Sequence, residues 1–73
     1  MNKIIVLEVQ VGFDGTVGTL INDYEDRNAA ENKYHTILAA AAVSQLAIHT
    51  AFMLDPKGKV LKADHYEHKQ PEV

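Results

Sequence analysis

Seventy-three residues with seven Lys and Arg against ten Asp and Glu, a formal net charge of −3, make one small domain whose general field repels phosphate backbones. No basic cluster reverses that field locally, so nucleic acid is not an expected partner. The chain has no cysteine, hence no disulfide and no thiolate metal site, and self-association or a histidine site are the remaining ways to reinforce so small a core.

The opening "MNKIIVLEVQ" reaches Glu8 and Gln10 after a short apolar run, too short for the apolar middle of a secretory leader, and a cytoplasmic protein is expected. From Ile5 the odd positions Ile5, Leu7, Val9 and Val11 are all apolar, while the even ones pass from Ile4 and Val6 to Glu8 and Gln10. This period of two predicts a strand with one buried face and one partly wet face, the odd residues being the buried set. Asp14-Gly15 is a hairpin signal, because glycine supplies the positive φ of a tight turn, and a second strand over about Thr16 to Tyr24 should fold back on the first.

"NDYEDRNAAENKYH" carries helix-start chemistry: Asp26 or Asn28 can cap the first free N–H groups, and Asn28 with Glu31 fits a loose capping box. Ala30, Tyr34, Ile37, Leu38 and Ala41 then share one stripe of a 3.6-residue period, with Asn32 and Lys33 off it toward water.

The nineteen residues of "TILAAAAVSQLAIHTAFML" hold no charge, but the run changes period within itself. Up to about Ser44 it has helical spacing. From Ala47 to Leu54 the β-branched and aromatic residues predict a strand, with Ile48, Thr50, Phe52 and Leu54 on one face and Ala47, His49, Ala51 and Met53 on the other. A helix end, a short connection and a strand do not make the roughly 20-residue apolar helix that spans a bilayer, so no membrane association is expected. "DPKGK" is a second hairpin turn, with Pro56 presetting φ and Gly58 free to take the left-handed position. Val60 to about Tyr66 returns as a fourth strand. Residues 1–68 form the expected domain, and 69–73 a polar tail expected to fray.

The resulting expectation is an α+β fold, ββαββ, in which a four-stranded, mainly antiparallel sheet carries one helix on one face. Its expected core is Ile5, Leu7, Val9, Leu20, Tyr34, Ile37, Leu38, Ala41, Ile48, Phe52 and Leu61. The pattern leaves the strand order open.

Candidate chemistry is sparse. His49, His65 and His68 are the candidate metal ligands: "HYEH" spaces two of them as H-x-x-H, and His49 could meet His65 across the second hairpin. On a strand, however, His65 and His68 point to opposite faces. The acidic residues Asp14, Asp23, Glu25 and Asp26 suit turns and helix capping, and "DYEDRNAAENKY" lacks the central glycine and final glutamate of an EF-hand loop. Ser44, the only serine, lies outside any G-x-S-x-G elbow, and Gly12, Gly15 and Gly18 lack the Lys and Ser or Thr of a phosphate loop. An N-terminal proline base of the tautomerase kind is missing too. No catalytic constellation, cofactor or bound metal is expected, with Asp64, His65 and Tyr66 the least implausible acid–base group.

Ala39, Ala40 and Val43 turn the outer side of the helix apolar where a monomer would keep polar groups, and this is the expected interface. The expected function is a non-enzymatic protein-binding or assembly module that acts as an oligomer, a homodimer for instance, or with another protein. The alternative is a small-ligand or metal module built on the histidines of the second hairpin. In "DGTVGTL", "AENKYHTILAAAAVS" and "HTAFMLDPKGKVLK" the chain resembles short uncharacterised proteins of anaerobic Gram-positive bacteria, some carried on prophage-like elements. The resemblance covers most of the chain and implies a phage-associated or accessory protein; it brings no functional residue with it.

Overall fold

The computed structural model describes residues 3–70, and among these the chain forms β1 (Ile4–Val11), β2 (Val17–Tyr24), α1 (Arg27–Ala42), β3 (Ile48–Leu54) and β4 (Val60–Glu67). The four strands make one antiparallel sheet in the order β2-β1-β3-β4, with α1 against it, so the expected ββαββ α+β fold is the observed one. Of the expected polar tail, Lys69 and Gln70 follow β4 as exposed irregular chain, and 71–73 lie outside the described residues.

Both hairpins close with the same hydrogen-bond pattern. In the first, Gly15 N–H donates to the Gly12 carbonyl and Gly12 N–H to the Thr16 carbonyl; in the second, Gly58 donates to Asp55 and Asp55 to Lys59. Gly15 and Gly58 have φ of 87° and 88°, the left-handed corner that a β-carbon disfavours. An aspartate braces each loop: Asp14 Oδ1 accepts from Thr16 N–H, and Asp55 Oδ1 from the N–H groups of Lys57 and Lys59. No neighbouring atom would obstruct a side chain at Gly58, so the strain of Gly58→Ala comes from φ alone. We expect it to cost about 1–2 kcal/mol, measured by urea titration.

Asp26 is the N-cap of α1: extended at φ −94°, it accepts from Asn28 N–H at 3.0 Å. The alternative capping box does not form, because Glu31 leans off the helix to pair with Lys62 on β4. At the other end, Val43 and Ser44 N–H groups reach back three residues to the Ala40 and Ala41 carbonyls. His68, just beyond β4, donates from Nε2 to the same Ala41 carbonyl at 2.8 Å, while its own N–H bonds to the Ala47 carbonyl. An imidazole thus completes the helix C-terminus from a distant part of the chain.

The core is smaller than expected and lies on the other face of the sheet. Ala30, Tyr34 and Ile37 of α1 meet Val6 on β1 and Ala51 and Met53 on β3, with Ile4, Tyr24 and Leu38 packed around them, and Ala41 is buried on the same helical stripe. The helical stripe is as expected. On the strands the set is inverted: Ile5, Leu7, Val9, Ile48 and Phe52 alternate with the buried residues and face away from the helix, half-buried only by their neighbours. Leu20 and Leu61, also expected inside, are 55% and 37% exposed, and Leu61 sits where the β3–β4 register shifts.

Crossover geometry gives the reason. β2 and β3 are both antiparallel to the β1 strand between them, hence parallel to each other, and α1 is the crossover that joins them. A single crossover helix covers only one face of the sheet, and the register of the pairings, in which a one-residue slip exchanges the two side-chain sets, decides which set meets it.

Candidate functional site

Covering that face brings a carboxylate and an imidazole under the helix. Glu8 on β1 and His49 on β3 are diagonal cross-strand neighbours, since Glu8 pairs with Ala51 and Gln10 with His49. Both are buried, and His49 Nε2 donates to Glu8 Oε2 at 2.5 Å. Gln10 Nε2 donates to the same oxygen at 2.8 Å. Burial pushes the Glu8 carboxyl up, but the hydrogen bonds from Gln10 and His49 and the charges of His49 and Lys33 outweigh it and leave the group below the ordinary carboxylate value. His49 Nδ1 is enclosed and has no partner.

A carboxylate–imidazole pair is common catalytic equipment, but chemistry on a substrate needs access. The cleft of about 340 Å³ at the end of the first hairpin is lined by Phe13, Ser44, Gln45, His68, Lys69 and Gln70 and includes neither Glu8 nor His49. The pair is enclosed between sheet and helix, where it ties β1 to β3.

The sequence-derived candidates separate. In the second hairpin His49 lies opposite Tyr66, and His65 opposite Thr50, so His49 and His65 occupy different faces of the sheet. His65 is exposed, with Nε2 3.2 Å from Glu67 Oε2, and His68 is committed to the helix end. Among the described residues no three His, Asp or Glu side chains are arranged to hold a metal ion. The acid–base group also divides: Asp64 and Tyr66 share the helix-side face while His65 is on the other. Ala39, Ala40 and Val43 are exposed on the outer side of α1, Val43 at 82%. They form a narrow strip.

A far larger apolar surface is the sheet face away from the helix. It holds Ile5, Leu7, Val9 and Val11 of β1 beside Leu54, Phe52, Thr50 and Ile48 of β3. Outside them lie Ile21, Thr19 and Val17 of β2, and Val60, Ala63 and His65 of β4. No described element lies over it; Val17 and Ile21 are 62% and 68% exposed. Acidic groups occur only at opposite ends of its outer strands, Asp23 on β2 and Glu67 on β4. Asp23 is 3.6 Å from Lys3 Nζ. The signal for this surface is the apolar alternation Ile5, Leu7, Val9, Val11 of β1 and Ile48, Phe52, Leu54 of β3, broken only by Thr50; alternation alone does not distinguish a core face from an interface.

No family model, curated protein or solved structure matches the chain. No described helix is long and apolar enough to cross a membrane.

Proposed function

We propose that this protein is a non-enzymatic protein-binding or assembly module whose working surface is the helix-free face of the sheet. The observation that carries this reading is the contiguous apolar field across β1 and β3, with both acidic residues of the face at its margins. Scattered apolar residues are normal on a protein surface, whereas a continuous apolar patch with a polar rim is the composition of an interface. The outer strip of the helix, Ala39, Ala40 and Val43, is only one side chain or two wide.

Because the chain has no cysteine, one introduced thiol reports its own surroundings. Thr50→Cys places it at the centre of the face, and Val43→Cys on the outer helix side. In permeabilised cells that make the protein at its natural level, a maleimide should label the Val43→Cys thiol readily and the Thr50→Cys thiol slowly. Equal and rapid labelling of both would leave the face bare and defeat the proposal.

A further inference from the structure

We infer that the occupant of this face is the same face of a second copy of the chain, so that two sheets close into a symmetric sandwich with the helices outside. The inference rests on the binding-surface reading above and names its partner.

The first support is area. Four strands at about 4.8 Å spacing and eight residues at about 3.3 Å rise give a flat footprint of about 500 Å² per copy, before the relief of the side chains is added. Two such faces reach about 1,000 Å² together before side-chain relief is counted, the lower bound for a biological interface.

Charge is the second. Two copies of a chain of net charge −3 repel, so a self-contact has to be made where charge is missing. The helix side carries Glu8, Glu31, Lys33, Lys62 and Asp64, whereas β1 and β3 bring only apolar residues and Thr50 to the helix-free face. A two-fold axis along the strands, between β1 and β3, lays each copy's β1 over the other's β3. Asp23 and Glu67 then stay at opposite ends of the contact, and no acidic group meets another across it.

Shape is the third. A twisted sheet is complemented by one of the same twist at about 10 Å, the geometry of aligned sandwiches, and an identical copy brings that twist. Pairing through the edge strands β2 or β4 would instead leave the apolar face in water.

The test uses the purified chain of 73 residues. Light scattering over a dilution series should give twice the chain mass at high concentration, falling to the chain mass on dilution. Leu7→Lys, which puts a charge at the middle of the face, should give the monomer mass throughout with an unchanged circular dichroism spectrum. Val43→Glu should leave the dimer intact. Thr50→Cys guards against a Leu7→Lys chain that fails to fold: its thiol should label about tenfold more slowly at concentrations where the dimer forms than in dilute solution, as mass action requires.

A wild-type monomer at every concentration, or a dimer that Val43→Glu breaks and Leu7→Lys does not, overturns the inference. The cellular labelling separates the two levels. A monomer in vitro whose Thr50→Cys thiol is still blocked in cells removes the second copy but keeps the binding surface, and a thiol open in both settings removes both.

Discussion

Glu8→Ala is expected to destabilise the fold by about 1–3 kcal/mol, because it leaves the His49 imidazole enclosed without its acceptor. A domain of this length has a total stability of roughly 4–11 kcal/mol, so the variant should lose a large fraction of it and melt at a clearly lower temperature. The pair itself is not expected to be the best filling for that space. Replacing both members, Glu8→Leu with His49→Leu, removes the desolvation cost and the orphaned Nδ1 together, and should recover most or all of the loss. Thermal melts of the two single variants and the double variant form a cycle, and additive losses would show that the pair does not act as a unit.

The pair also sets an acid limb. A carboxyl held below its unfolded value adds stability above that value and loses it as pH falls through the folded one, so the Glu8 contribution is complete at neutral pH and fades below about pH 4.5. Glu8→Gln keeps the shape without the titration. Its melting temperature should depend less on pH in that acid range than that of the parent, and identical slopes would place the acid sensitivity elsewhere.

Met53→Ala should remove a further large share of the stability. Met53 is the largest fully enclosed apolar side chain, in a small core where Ala30 of the helix and Ala51 beside it on β3 are also fully buried. Those alanines have nothing to give when a neighbour is cut back, so the cavity should persist. The expected loss is about 2–5 kcal/mol, and a fall in Tm of about 8 °C or more follows at about 4–8 °C per kcal/mol for a domain of this size. The adjacent Phe52 provides the contrast, because it points to the helix-free face. The Tm loss from Met53→Ala should be the same at all protein concentrations, whereas the loss from Phe52→Ala should grow with concentration if that face is covered by association. A concentration-independent Phe52→Ala loss as large as that of Met53→Ala would mean the two faces are equally enclosed within one chain.

The turns, the helix start and the element order follow from local chemistry. Gly15 and Gly58 adopt positive φ where an L side chain is strained, Asp26 caps because its carboxylate meets a free N–H two residues on, and the switch of period within "AAAAVSQLAIHTAFML" marks where helix gives way to strand. Each of these is an interaction over a few residues, complete in the chain itself.

Which face of the sheet became the core was settled at a longer range. By count of apolar residues the helix belongs over Ile5, Leu7, Val9 and Phe52; it lies instead over Val6, Ala51 and Met53 and encloses Glu8 and His49. The choice follows from the register in which the strands pair in the order β2-β1-β3-β4 and from the crossover that joins two parallel strands past a third, and neither is encoded in any short window. The same geometry separates His49, His65 and His68, close in sequence or across a hairpin, into three unrelated settings. Local periodicity says that a strand has two different faces, and only register and topology choose which of them meets the helix and which is left for a partner.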